Sequence, residues 1–430
     1  LSAWRQNRLP DNLPKLVLAN VPQIPQEVLA EYRKAMGQAK TGLFDTHPSD
    51  RERIAHAKAE GPEGIFTLDG PATDVFRNFD SLAKLVTFEF YRGCFGPNVT
   101  KSQLFPVAEL VQSQAVEKEG YEAFERYFLH AYSPGQPLNL PFDYPEALTH
   151  VDRGRSALEA ARAEMEATRD DSIAAWKEWK NLFGVASTAE TAATLLKAGV
   201  KIKAAEFDLP EATARAADDQ IQRSERRAAK QLQGLTPFTE AAVRRLTTGL
   251  ALLEAEAVVK LIPDGHTIRD EARALYACAA HLGSRVTGET PPVYRASVVL
   301  NRLLAMYQQG NNQNNVPLTN SILRAAALLH DRLEEFRWKI GDLVEYPFEH
   351  ATEEITLGRY ILAIVPPKDE IGLLIEAADD SVKRMIATYG RALGRLTYAA
   401  EEVERALGLS PILTEPPASD DADDTDDDED

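Results

Sequence analysis

The sequence is short of the features that would assign it at once to a large class of proteins. Its 430 residues include only two cysteines, Cys94 and Cys278, which excludes a disulfide framework. No run of about 18 uninterrupted apolar residues occurs, and the most apolar stretch, 246–262, is broken by three charged residues. We therefore expect no membrane-spanning helix within the given residues.

Positive charge is also scarce. The formal net charge is −18, and residues 420–430 alone carry nine acidic side chains, which leaves −9 on the rest of the chain. A nucleic-acid-binding protein needs a basic surface, so this class of partner is excluded. The residues from Pro416 to Asp430 cannot bury enough apolar surface to offset the entropy of ordering, and we predict that they are disordered.

One short segment, Phe44–Arg53, carries the strongest functional signal. Pro48 holds the preceding residue, His47, in an extended backbone conformation. Ser49 followed three residues later by Glu52 is the pattern of a capping box, which predicts a helix that begins at Asp50. His47 is therefore predicted to lie on a short loop at a helix entrance, with Arg53 in the first turns of that helix.

A Thr46-His47-Pro48 loop followed by a capped helix with an arginine resembles the C-terminal part of zinc metallopeptidases of family forty-eight. This family includes the CAAX prenyl proteases and the HtpX-like membrane proteases. The resemblance implies that His47 faces the zinc from the substrate side, where it stabilises the oxyanion or ligates the resting metal. It implies that Arg53 holds the loop by pairing with a carboxylate or carbonyl. Without the resemblance, His47 is a packing or capping residue and Arg53 a solvated charge.

The principal zinc ligands of the family are not in this chain. No two of its eight histidines have the His-Glu-x-x-His spacing that places two imidazoles on one helical face. Neither Glu27 nor Glu31 begins the Glu-x-x-x-Asp pattern that supplies a third ligand in the family. We therefore expect the ligands to lie upstream of Leu1, with zinc in the full-length parent and no cofactor in this chain alone.

A second constellation follows Tyr346. His350 and Glu354 would lie one turn apart on a helix and could share a metal, but two ligands do not make a site. Core packing of Tyr346 and Phe348 is the stronger prediction.

An aromatic stripe, Trp176, Trp179 and Phe183, has helical spacing. Such stripes are predicted to be core, and the alternative is a packing face for a partner helix.

Helical periodicity dominates the chain and predicts a mainly α protein. We predict a truncated zincin-like peptidase remnant, then a multi-helix domain and a disordered acidic tail. The predicted domains are the C-terminal part of a peptidase domain at 1–68, a connecting helical segment with a Pro-rich boundary at 69–145, a helical domain at 146–408 and the tail at 409–430. The long helices are predicted at 151–184, 188–206, 211–233, 238–262, 266–286, 291–308, 318–340, 370–388 and 391–407.

The resemblance implies a fragment of a membrane-associated zinc metalloendopeptidase that hydrolyses protein or peptide substrates. It implies that the parent reaches the membrane through an N-terminal segment outside this chain, and that the present portion is soluble and inactive alone. The alternative is a non-catalytic helical scaffold or adaptor, for which the match at His47 would be fortuitous.

Overall fold

The computed structural model describes residues 8–38, 47–60, 70–309, 314–351 and 354–415. The prediction of a mainly α protein is confirmed, because 74% of the structure is helical and only 2% is strand. The strands are β1 (Leu9–Pro10) and β2 (Leu104–Phe105), which pair in parallel. Within the described ranges, none of the helices combines the length and the apolar character needed to cross a bilayer.

The chain divides into two compact units, which are described separately. The first unit comprises Leu1–Ala115 and Glu349–Ala351, and the second comprises Val116–Phe348 and Thr352–Asp430. The helices that begin before residue 116 are α1 (Leu13–Asn20), α2 (Gln26–Gln38), α3 (Asp50–Glu60), α4 (Phe79–Phe95) and α5 (Val107–Tyr127). The later helices are α6 (Val151–Lys197), α7 (Ala214–Gly234), α8 (Thr236–Leu253), α9 (Glu256–Val259), α10 (Gly265–Gln308), α11 (Val316–Ile340), α12 (Leu357–Ile361) and α13 (Ile371–Ala406).

The first unit has a small core. Leu9 of β1 packs with Tyr91 of α4 and with Val99. The start of α1 is fixed to α4 by polar side chains, since the Thr87 hydroxyl accepts a hydrogen bond from the Leu13 amide at 3.0 Å. Asn12 caps α1 by accepting from the Lys15 amide, also at 3.0 Å. Neither α2 nor α3 contributes a buried side chain.

The second unit is a bundle of long helices around one continuous core. Helix α6 packs against α7 and α8, α10 packs against α11 and α13, and α13 also packs against α8. The largest fully buried side chains include Tyr127, Tyr276, Tyr389 and Phe238. Their burial makes this unit the main source of hydrophobic stabilisation in the molecule.

The Pro-rich segment 133–145 lies inside the second unit. Leu138 is fully buried, and the Tyr276 hydroxyl donates to the Pro141 carbonyl at 3.0 Å. The segment thus packs as irregular structure against α10, and the compact units divide further towards the N-terminus, after Ala115.

The other predicted boundary, 68/69, falls on residues outside the described ranges. Residues 409–415 belong to the packed second unit. The Arg162 guanidinium donates to the Ser410 carbonyl, and the Arg169 guanidinium donates to the Glu415 carbonyl at 2.7 Å. The acidic residues after Glu415 lie outside the described part of the chain.

Three predicted pairs of helices are single continuous helices, so the breaks predicted near 185, 288 and 390 are wrong. Helix α10 continues through Pro291 and Pro292. Just before the prolines, the Thr290 hydroxyl donates to the Val286 carbonyl at 2.5 Å. Pro292 has no N–H to donate to the Gly288 carbonyl, and because Gly288 is exposed, solvent can satisfy that carbonyl. Packing of α10 against its neighbours therefore outweighs the local preference for a break.

Helix α13 runs without a break past 390 and carries a glycine at a close crossing with another helix. At Gly394 the backbone of α13 approaches α5 so closely that an added Cβ would lie 2.8 Å from the Gly120 carbonyl oxygen. Only glycine at Gly394 allows this crossing, which lies four residues beyond the break predicted near 390.

We expect Gly394→Ala to destabilise the second unit by about 1–3 kcal/mol, because the added methyl group overpacks the crossing with α5. Gly184→Ala is the matched control. Gly184 lies in the middle of α6 with open space where a Cβ would be, so alanine should stabilise the helix by about 0.5–1 kcal/mol. Denaturant unfolding of both variants measures the two effects, and equal shifts would contradict the role given to the crossing.

Candidate functional site

His47 lies on the exposed loop that precedes α3. The Ser49 hydroxyl accepts a hydrogen bond from the Glu52 amide at 3.4 Å, and α3 begins at Asp50, as the capping pattern predicts. Every residue of α3 is exposed, and so is His47 itself. The imidazole is therefore presented outward at the entrance of a capped helix.

Arg53 lies one turn into α3 with its side chain 67% exposed. Its guanidinium donates to the Asp50 carboxylate at 3.4 Å, within the same helix. An exposed pair at this spacing contributes little to stability. The structure thus gives Arg53 a carboxylate partner, but that partner lies on the helix itself and not on the loop that carries His47.

The described residues do not form a metal site. No group of three or more histidine, cysteine, aspartate or glutamate side chains is arranged there to hold an ion. His47 is the one zinc-facing group that the resemblance assigns to this chain, and one imidazole does not hold a zinc ion.

Residues 344–346 pair with residues 355–357, and the described residues from 344 to 356 are not helical. The Tyr346 amide donates to the Ile355 carbonyl at 2.8 Å, and the Leu357 amide donates to the Val344 carbonyl at 2.9 Å. His350 and Glu354 therefore do not share a helical face, which removes the geometry that a shared metal would need.

The aromatic residues of this segment pack as predicted. Tyr346 is buried and stacks on Tyr360 with ring centroids 3.9 Å apart. Phe348 is half-buried beneath the Arg391 guanidinium, which lies 3.9 Å from the ring centroid. The core assignment is confirmed for Tyr346.

The aromatic stripe of α6 is not core, so that prediction is wrong. Trp176 and Trp179 stack almost parallel with centroids 4.6 Å apart, and Phe183 stacks on Trp179 at 5.3 Å. All three side chains are only partly buried. The three rings stack on one another, and Phe183 also lies 6.3 Å from the ring centroid of Tyr294 on α10, so stacking and one contact between helices cover part of their apolar surface.

The most strongly buried charged group was not singled out by the sequence. Arg245 of α8 is 2% exposed, and it forms two hydrogen bonds to Glu404 of α13, from Nε at 2.7 Å and from Nη2 at 2.8 Å. Its Nη1 donates to the Tyr127 carbonyl at the end of α5 at 2.6 Å, and its guanidinium lies over the Tyr127 ring. The fork of three donors thus joins α5, α8 and α13.

Further charges surround this pair. Arg162 of α6 donates to Glu404 at 2.6 Å, so one carboxylate serves two arginines. Burial raises the pKa of the neighbouring Glu401 carboxyl, and Arg126, which donates to it at 2.8 Å, opposes the shift. We define the Arg245 cluster as Arg245, Glu404, Arg162 and Tyr127. Its hydrogen bonds join α5, α6, α8 and α13, which is a structural role.

The sequence does contain a signal for Arg245. It falls on the apolar face of α8, three and four residues after the buried Ala242 and Ala241 and four before the buried Gly249. A charge on the apolar face of a helix predicts a buried partner, although the sequence does not say which carboxylate it is.

Glu404→Gln should destabilise the protein by about 3–5 kcal/mol, because it leaves Arg245 and Arg162 buried without their carboxylate. Glu159→Gln is the control, since Glu159 forms an exposed pair with Arg155, and its effect should stay within about 0.5 kcal/mol. Denaturant unfolding measures both. The double variant Arg245→Met with Glu404→Leu should recover part of the loss. Similar losses in Glu404→Gln and Glu159→Gln would contradict the buried-charge argument.

His281 of α10 fixes the end of α11. Its Nε2 donates to the Ile340 carbonyl at 2.8 Å, and the side chain is buried. Burial lowers the pKa of His281, the hydrogen bond to Ile340 opposes this, and the nearby Arg285 lowers the pKa further. The folded protein therefore favours the neutral imidazole.

This lowered pKa predicts a pH-dependent stability. The unfolded chain binds a proton at His281 more readily, so the free energy of unfolding should fall as the pH drops from about 6.5 through the lowered folded value. His281→Gln should remove this component. Denaturant unfolding between pH 5 and pH 7.5 should show that the gap between the two proteins is widest at neutral pH; a gap that does not change with pH would contradict the assignment.

Comparisons of the chain with protein-family models, with curated proteins and with solved structures give no match. No relative therefore supplies a function for these residues.

Proposed function

We propose that this chain is part of a zinc metalloendopeptidase of the family forty-eight type and that His47 is its contribution to the active site. The single observation that carries the proposal is the Thr46-His47-Pro48-Ser49 sequence followed by a helix that Ser49 caps. The outward placement of His47 before α3 supports the proposal, because a side chain that faces a substrate must be accessible.

The exposed apolar faces of the first unit give independent support. Leu82, Val86 and Phe90 follow one another at four-residue spacing on α4, and all three are exposed. Val28 and Tyr32 of α2 are likewise 51% and 62% exposed. Amphipathic helices are stabilised by burial of their apolar face, so these faces favour contact with further polypeptide. In the proposal, that polypeptide carries the zinc ligands.

The proposed chemistry is peptide-bond hydrolysis of protein or peptide substrates. Zinc, held by residues outside this chain, would supply the Lewis acid. His47 would donate a hydrogen bond to the oxygen that gains negative charge when the peptide carbonyl is attacked. Residues 146–408 are proposed as an appended helical domain, and membrane attachment is proposed to come from polypeptide outside the given residues. The chain alone is proposed to be inactive, because its sequence does not contain the His-Glu-x-x-His pattern of the family.

In a polypeptide that carries the zinc-binding helices upstream of Leu1, His47→Ala should lower kcat/KM for peptide cleavage by about 10²–10³-fold, because one oxyanion donor is lost. His56→Ala is the matched control, since it makes the same substitution at another exposed histidine, which lies on α3. It should cleave at the unchanged rate. Both variants should keep their free energy of unfolding within about 0.5 kcal/mol, because both side chains are exposed.

Zinc content separates the roles of His47. Elemental analysis should find the same zinc content in both variants if His47 stabilises the oxyanion, and less zinc in His47→Ala if it ligates the resting metal. Equal kcat/KM in the two variants would overturn the assignment of His47. Absence of any proteolysis in the longer polypeptide would favour the alternative, a helical scaffold or adaptor.

A further inference from the structure

A groove in the second unit brings together two opposite charges that do not pair. It has a volume of about 410 Å³ and lies between α6, the connection from α6 to α7, and the C-terminal part of α10. This volume is within the range of small-molecule sites. Its charged lining residues are Asp208, Arg302 and Glu206, of which Glu206 is paired with Lys203. The remaining lining is polar at Thr188, Thr191 and Gln309 and apolar at Phe207, Ala305 and Met306.

Arg302 has most of its donors available. Its guanidinium forms one hydrogen bond, from Nη1 to the Thr188 hydroxyl at 2.9 Å, and it forms no ion pair within the described ranges. The Thr188 contact orients the guanidinium without neutralising it. A planar guanidinium with free donors is suited to a carboxylate.

Asp208 provides the opposite charge. Its carboxylate has no hydrogen bond or ion pair in the described part of the chain, whereas its neighbour Glu206 is paired with Lys203 at 3.0 Å. The backbone of Asp208 is left-handed, with φ 50°, a conformation that few residues other than glycine adopt. This turn places an unpaired carboxylate at a groove that already holds an unpaired guanidinium.

The two charges together restrict the kind of ligand. A simple anion would meet Asp208, and a simple cation would meet Arg302, so each would gain one attraction and one repulsion. A ligand with both an ammonium and a carboxylate group meets a partner at each end. Phe207, Ala305 and Met306 provide apolar surface for the part of the ligand between or beside these groups.

We infer that this groove binds a small zwitterion with an apolar body, with its ammonium group at Asp208 and its carboxylate at Arg302. A free amino acid and a short peptide with free termini share this chemistry. The inference does not rest on the metallopeptidase proposal, since binding is measured on the full chain as given, without zinc and without catalysis.

The first test compares four ligands by isothermal titration calorimetry: leucine, leucyl-leucine, N-acetyl-leucine, which lacks the ammonium group, and leucinamide, which lacks the carboxylate. A zwitterion should bind with a Kd of order 1 mM, and about fivefold more tightly than either blocked compound. Tighter binding of leucyl-leucine identifies a peptide site, and tighter binding of leucine identifies an amino-acid site. Equal binding of all four, or no saturable binding at tenfold higher concentration, would overturn the inference.

The second test assigns each end of the ligand to its residue. Asp208→Asn should weaken zwitterion binding about fivefold and leave N-acetyl-leucine unchanged, and asparagine tolerates the left-handed backbone. Arg302→Gln should weaken both the zwitterion and N-acetyl-leucine but leave leucinamide unchanged. Asp264→Asn and Arg324→Gln are the controls, because Asp264 is also left-handed, with φ 53°, and Arg324 is an exposed arginine on α11.

Circular dichroism checks that each variant is folded. The controls should bind all ligands as the unmodified chain does. Equal losses in the controls and in the groove variants, or a loss that does not depend on which end of the ligand is blocked, would overturn the inference.

Discussion

The second unit depends on how one buried guanidinium is satisfied. Arg245 cannot be desolvated without partners, and the partners it finds, Glu404 and the Tyr127 carbonyl, lie on two other helices. Glu404 also accepts from Arg162, which brings in α6. Four helices are therefore held in one register by groups that tolerate little displacement, because a shift of any one of them would leave a buried charge unpaired. The surrounding apolar core supplies most of the stabilisation, and the directional contacts of Arg245 add a geometric constraint that apolar contacts lack.

The same network extends to the end of the described chain. Arg162 contacts the Ser410 carbonyl as well as Glu404, and Arg169 donates to the carbonyl of Leu129 at 2.8 Å as well as to that of Glu415. Each of these arginines thus contacts both the helical bundle and the segment after α13. Backbone carbonyls, not side chains, are the acceptors in that segment, so its attachment depends on its path and only weakly on its sequence.

Local sequence predicts which segments are helical far better than it predicts where long helices end. The Ser49 cap and the start of α3 depend on contacts within four residues, and the sequence predicts both. The need for glycine at Gly394 depends on the close approach of Gly120, more than 270 residues away, which no local pattern reveals. The same limit applies to the sites. Arg245 and Glu404 come into contact, and Asp208 and Arg302 come to line one groove, only when the helices pack. The aromatic stripe at Trp176 has core spacing although its residues are only partly buried.

The two units differ in how completely they bury their apolar surface, and this difference bears on where function lies. In the second unit, the long helices turn their apolar faces to a common core, and its buried ions are paired. In the first unit, α2 and α3 bury no side chain, and α4 leaves Leu82, Val86 and Phe90 exposed. Exposed apolar stripes are unfavourable in water and persist where a partner covers them. The first unit is therefore the part of the chain whose sequence is suited to contact with other polypeptide, and it also presents the histidine that the proposed reaction requires. A bundle with a complete core can carry an independent ligand groove, whereas the proposed reaction at His47 would require polypeptide that carries the zinc ligands.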